Sequence, residues 1–179
     1  EKVTKLIEFG LEIRFTPNTR SYKKLIPAVM EFPHAAVVTA DDDVYYHPEW
    51  LAELLSAFDF SNRELICHRA HQITFDANGR LNPYALWHQN FESPGARGDL
   101  FMTGCGGTLY PPGILHSHAT DSARFMKLCP TADDIWFNWM AWLNGAKVRK
   151  VKSSFEICAW PGSQLTALYR ENVRDGGND

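Results

Sequence analysis

The sequence predicts an α/β sandwich around a central mixed, largely parallel sheet, and two observations carry that expectation. Apolar β-rich runs alternate along the chain with segments of helical period, the order that lays helices on a sheet. One such run, residues 35–39, passes directly into Asp41, Asp42 and Asp43, and a helix follows from Pro48. Charged residues therefore collect at the carboxyl end of a buried strand, where open α/β sheets bind their ligands. The 179 residues form a single domain, long enough for a substantial core.

Taken in order, "EKVTKLIEFG" reads as a helix stopped by Gly10, and "LEIRF" alternates as a strand with Leu11, Ile13 and Phe15 on one face. "SYKKLIPAVMEF" is a helix, with Ser21 as its cap and Pro27 restricting its first turns. After the acidic strand, Trp50, Leu51, Leu54, Leu55 and Phe58 follow helical spacing, and Pro48 fits the first helical position. "ELICHRAHQITF" is the next strand. Residues 76–99 are rich in Gly, Pro, Asn and aromatics, and a structureless stretch of that length is usually functional. "GCGGTLYPPG" is a strand entered through glycines and closed by a turn. "TADDIWFNWMAWLNG" is a helix ending at Gly145, "AKVRKV" and "SFEICAW" are alternating strands, and "RDGGND" is a polar tail.

Composition excludes several classes. Hydrophobic residues make up 45% and charged residues 22%, as in an average globular protein. A net charge of −3 gives no basic footprint for nucleic acid. No apolar run approaches the roughly 20 residues that span a bilayer, and no signal peptide is visible. Cys67, Cys105, Cys129 and Cys158 are dispersed, with no C-x-x-C pair. They read as reduced core thiols of a cytoplasmic protein. The aromatic content suits a large core and a sugar-facing cleft equally.

Two carboxylates 4 Å apart repel by about 4 kcal/mol at an effective dielectric near 20. Three in succession therefore call for a cation, a proton or a basic side chain. Oxygen-only donors suit Mg²⁺ or Mn²⁺, which bridge carboxylates to substrate phosphates. A solvated turn whose acids favour the next helix N-terminus is the alternative. The pair Asp133 and Asp134 also has two readings. Thr131 to Asp134 fits an acidic capping box, and a helix start also aims a carboxylate rigidly enough for general-base work.

Three phosphate-handling schemes fit acids so placed. An EF-hand loop is excluded because the Gly and terminal Glu are missing at the required spacing. An aspartyl phosphatase would use Asp41 and Asp43, with Asp133 and Asp134 as a later metal pair, but Tyr45 stands where such motifs want a small residue. In the third scheme a D-x-D motif binds a metal–diphosphate, and a later acid deprotonates a hydroxyl.

"VVTADDDVYYHPEWLAELLSAF" resembles the D-x-D region of bacterial glycosyltransferases of the GT-A fold, and "GCGGTLYPPGIL" with "CPTADDIWFNWMAWLNGAKV" resembles their acceptor strand and acidic helix start. The likeness extends, more loosely, through "YKKLIPAVMEFP" and "LYRENVRDGGND", and is strongest to the inverting family-two group. It implies a nucleotide-sugar donor, of the UDP-sugar type, with Mn²⁺ or Mg²⁺ as cofactor. It also implies a glycan acceptor in polysaccharide or lipopolysaccharide assembly, and a location in the cytoplasm or at the periphery of the inner membrane.

Carried over residue by residue, Asp43 ligates the metal on the diphosphate. Asp41 lies near the donor ribose or metal, with Asp42 in support. Asp134 becomes the base, and Asp133, where the family usually has the longer Glu, contacts the acceptor. Gly106 and Gly107 let the backbone approach the donor sugar. Lys24 and Arg20 are candidate cations for the donor, with a solvated helix face as the alternative for Lys23 or Lys24. His68, Arg69 and His71 are packing or acceptor contacts, and His116 with His118 is a loop pair without metal. GT-A domains open with a nucleotide-binding strand that precedes the matched residues. The expectation is thus a domain truncated at both ends, lacking that strand and self-associating through an exposed sheet edge. The alternatives are an aspartyl phosphatase and an inactive nucleotide-sugar-binding domain.

Overall fold

A computed structural model of the chain describes residues 2–152 and 156–163. The described residues form strands β1 Val37–Thr39, β2 Val44–Tyr45, β3 Glu64–Cys67, β4 Ala70–Gln72, β5 Leu100–Met102, β6 Thr108–Tyr110, β7 Lys147–Lys150 and β8 Cys158–Ala159. The helices are α1 Lys2–Glu8, α2 Ile26–Glu31, α3 Trp50–Ser56, α4 Ser122–Leu128 and α5 Asp133–Leu143.

The main sheet has the order β1-β6-β3-β7. Strand β6 runs antiparallel to both β1 and β3, and only β3 and β7 are parallel. The fold is therefore mixed α/β with a mixed sheet, and the expected parallel bias is corrected. The cause is the path of the chain: β3 leads to β6 through the β4–β5 hairpin with no helical crossover, and parallel neighbours need a crossover.

Alternation along the strands divides the core between the two faces of this sheet. Leu65, Cys67 and Tyr110 face the larger cluster, built with Trp136, Phe137, Met140 and Ala141 of α5, Phe125 of α4, and Tyr22 and Leu25. Ile66 and Leu109 face the smaller cluster, closed by Leu54 with Trp50 of α3. The helices thus flank a central sheet, which places α5 and the turn after β1 at the same end of the molecule. No helix among the described residues is long and apolar enough to cross a membrane.

Several elements differ from expectation. "LEIRF" has the period of a strand but pairs with no strand among the described residues; Leu11 and Ile13 are exposed, and Phe15 is 98% exposed. The segment "SYKKLIPAVMEF" splits into a 3-10 turn, Arg20–Lys24, and α2, because Pro27 has no N–H and sits best in a helix's first turn. Ser21 caps neither, and its Oγ makes no hydrogen bond among the described residues. The long strand predicted over 64–75 divides at His68 and Arg69 into β3 and β4, which join different sheets. Residues 76–99 contain one 3-10 turn, Tyr84–Leu86, and return as β5. Helix α4 was not expected; Asp121 caps it, accepting from the Arg124 N–H at 3.0 Å. All four cysteines are free, but Cys158 is exposed rather than in the core. The last predicted strand is represented by β8, paired with β2; the start of that segment and the polar tail lie outside the described residues.

Candidate active site

Three chain segments meet at Lys24. Its Nζ lies 3.0 Å from Asp41 Oδ1 and 3.3 Å from Asp133 Oδ2. Asp134, the next residue, accepts the Gly104 backbone N–H on Oδ2 at 3.0 Å. The 3-10 geometry of residues 20–24 explains the choice between adjacent lysines. A three-residue period buries Tyr22 and Leu25 together, leaving Lys23 exposed and turning Lys24 partly inward. Burial alone would depress the Lys24 ammonium, but Asp133, Asp134 and Asp41 override it and hold its pKa above the ordinary value. The cation that neutralises these acids is thus supplied by the protein.

Asp134 sits in the first turn of α5. Burial first, then the adjacent Asp133 carboxylate, pushes its carboxyl up to about 7, against the opposing pull of Lys24 and the Gly104 N–H. A carboxylate tuned to neutral pH is matched to proton transfer. The capping-box reading is corrected: Ala132 occupies the N-cap and makes no side-chain cap bond, while Asp133 and Asp134 occupy the first two helical positions. Their carboxylates engage Lys24 and Gly104 across the site rather than closing a cap.

The turn after β1 does not lead directly into a helix, because β2 intervenes. Asp41 is anchored through its N–H to Tyr46 Oη at 2.8 Å, and that hydroxyl donates to the Cys105 carbonyl at 3.2 Å. Burial pushes the Tyr46 phenol up to about 12, so it remains a donor. Asp42 is exposed and Asp43 is half-buried, with the Asp43 carbonyl accepting from the Trp160 N–H at 2.8 Å. Among the described residues, no three His, Cys, Asp or Glu side chains are grouped to hold a metal ion. The donor set nevertheless has the right chemistry for a hard cation. Asp41 gives Oδ1 to Lys24; its Oδ2 and the nearby Asp43 carboxylate are of the oxygen type such ions take, and one or two carboxylates with substrate phosphates suffice for Mg²⁺.

Glycines shape the wall. A Cβ on Gly104 would stand 2.8 Å from Asp134 Oδ1 and 3.3 Å from Lys24 Nζ, so a larger residue would push both side chains from their present positions. Gly107 has φ +88 and lies against the Trp50 indole, which a Cβ would approach to 2.4 Å. Gly106 is packed by Ile157 and Arg69, and its carbonyl accepts from Trp50 Nε1 at 2.9 Å. Gly106 and Gly107 are thus covered by protein side chains rather than open to a bound sugar.

Arg20, at φ +55, donates to the Pro130 carbonyl at 3.3 Å, bracing the approach to α5 rather than joining the acids. His68 is buried with Nε2 3.0 Å from the Trp50 carbonyl, and burial pushes its imidazole below the usual value. Burial pushes His71 down to about 3; it is neutral and accepts the Asn90 N–H on Nδ1 at 2.9 Å. Arg69 donates to Thr103 Oγ1 at 3.0 Å. These three residues make packing contacts. His116 and His118 meet edge to face, centroids 4.7 Å apart, with Arg124 at His118 Nδ1.

Sequence reasoning missed Tyr46 and Asn138. Asn138 is fully buried one helical turn after Asp134: Oδ1 accepts the Met102 N–H at 3.0 Å, while Nδ2 donates to the carbonyls of Met102 at 2.9 Å and Asp134 at 2.8 Å. It ties α5 to β5 and sets the height of the acidic turn. The signal was available, since a lone amide inside "IWFNWMAW" breaks an apolar run. Asn138→Ala strands the Met102 backbone groups and is expected to destabilise the fold by about 2 kcal/mol. An unchanged urea midpoint would count against this role. Comparisons with protein-family models, curated proteins and solved structures find no match to this chain.

Proposed function

We propose that the chain is a GT-A-type glycosyltransferase domain that moves a sugar, with inversion, from a UDP-type nucleotide-sugar to a hydroxyl of a glycan or lipopolysaccharide-type acceptor. The observation that carries this reading is Asp134. Its carboxyl is pushed up to about 7 and fixed by the Gly104 N–H, and its neighbour Asp133 shares Lys24 with Asp41 of the facing turn. That combination pairs a proton acceptor for an attacking hydroxyl with a cationic and acidic platform for a leaving diphosphate. As Asp134 takes the hydroxyl proton, the acceptor oxygen gains nucleophilicity. Lys24 compensates the neighbouring carboxylates and lessens, without removing, the cost of ionising the buried base. A bound Mn²⁺ or Mg²⁺, held by Asp43 and Asp41, would supply electrostatic stabilisation of the diphosphate.

A thermal-shift screen of nucleotide-sugars with and without Mn²⁺ tests the reading, with stabilisation by a UDP-sugar expected only when Mn²⁺ is present. Asp43→Asn should weaken Mn²⁺ binding in the presence of UDP by about tenfold, the effect of one lost charge-assisted contact, while the fold persists. Equal Mn²⁺ affinities in the two proteins would remove Asp43 from the metal site. Turnover of a generic aryl phosphate, lost in Asp41→Asn, would replace transfer by the phosphohydrolase reading.

A further inference from the structure

Lys150 breaks the pattern of its strand. Along β7 the residues alternate between exposed and buried, so Val148 and Lys150 share the inward side. Val148 belongs to the core, whereas Lys150 places an ammonium there, its side chain only 3% exposed. A buried cation is retained only where good partners face it. Lys150 has two: the Asn90 carbonyl at 3.1 Å and the Glu92 carboxylate. Glu92 is a poor candidate for a permanent partner, because its side chain is 71% exposed and reaches in from the surface.

The pair borders a cavity of about 510 Å³ at the carboxyl end of β7, which Lys152, Ser93 and Glu53 also line. The neighbouring Arg149 is committed to Glu64, at 2.5 and 3.1 Å. The charge of Lys150 reaches His68 and His71, adding to the burial that depresses both imidazoles.

We infer that this cavity is an oxyanion-binding subsite, in which Lys150 receives the phosphate or carboxylate of a small hydroxylated ligand and Glu92 is a tethered stand-in that the ligand displaces. Lys152 adds a second positive charge at the mouth. The Ser93 hydroxyl, which donates to the Gly95 carbonyl and keeps its oxygen as an acceptor for hydroxyl groups, lies in the same lining, so the matching class is a sugar phosphate or sugar acid. The subsite uses none of the acids around Lys24 and stands independently of the transfer reaction.

Glucose 6-phosphate and glucuronate serve as probes, titrated calorimetrically into the full chain, Glu92→Gln and Lys150→Met. Removing the internal competitor raises the fraction of competent sites, so Glu92→Gln should bind one or both probes at least about fivefold more tightly than the unaltered chain. Lys150→Met should bind neither. Preference for glucose 6-phosphate identifies phosphate as the recognised group, and preference for glucuronate identifies carboxylate. If Lys150→Met does not fold, the Glu92→Gln comparison decides alone. Absence of binding to Glu92→Gln, or an affinity equal to or weaker than that of the unaltered chain, overturns the assignment.

Discussion

Asp134→Asn is expected to reduce sugar transfer by about 10³-fold, within the range for loss of a positioned general base, while making the protein more stable at alkaline pH. Both effects follow from one displaced titration. The Asp134 carboxyl titrates near 7 in the fold against an ordinary value of 3.8, so the folded chain holds this proton more tightly than the unfolded chain. Its contribution to stability is complete below pH 3.8 and is lost as pH rises through 7. At pH 8 the carboxylate is charged in surroundings that disfavour it, and the neutral amide removes that burden, worth up to about 4 kcal/mol. The urea midpoint of the variant should therefore exceed that of the unaltered chain by a larger margin at pH 8 than at pH 5, where the unfolded chain has already released this proton and only part of the contribution is gone. Coincidence at both pH values would mean that Asp134 titrates normally. On the proposed reading, transfer by the unaltered chain should rise with pH through about 7, the acid limb belonging to the Asp133–Asp134 pair. Persistence of that limb in Asp134→Asn would assign it elsewhere.

Lys24→Met is expected to have the largest effect on stability at the site. The ammonium lies between Asp41 and Asp133, and its removal takes from both carboxylates the cation they share beside Asp134. Breaking a buried ion pair from one side costs about 3 kcal/mol or more. Adding Asp133→Asn should recover a substantial part of the loss, because the two positions are in contact and their effects are not additive. A lysine valued only for its alkyl stem would give the opposite result: Lys24→Met would unfold at nearly the original urea concentration, and the second change would add further damage.

The faces of the sheet and of α5 were legible in the sequence because burial follows local period there: Trp136, Phe137, Met140 and Ala141 lie where helical spacing puts them, and Leu65, Ile66 and Cys67 alternate as a strand should. The chemistry-bearing types were legible too, since acids after an apolar strand have few structural reasons to exist. Their grouping was not. Lys23 and Lys24 are adjacent and identical in type, and only the three-residue turn, itself a consequence of Pro27 downstream, selects one of them. "LEIRF" alternates as cleanly as any true strand, but strand formation requires a neighbour, and none pairs with it among the described residues. Strand β5 is only three residues long, so its pairing with β4 is decided by tertiary context rather than by its own composition.

The wide separation of the segments around Lys24 bears on when the site comes into being. Tyr22, beside Lys24, hands its hydroxyl hydrogen to the carbonyl of Cys129, 107 positions along the chain. Contacts of such range are late events in folding, since a long loop must close before they can form. A nascent chain therefore carries the complete run of aspartates early, while their cation and the α5 carboxylates remain uncoordinated with it. Donor affinity should consequently appear in one step at the end of refolding, lagging behind the far-ultraviolet circular dichroism signal. The ligand would in effect distinguish finished molecules from compact, unfinished ones.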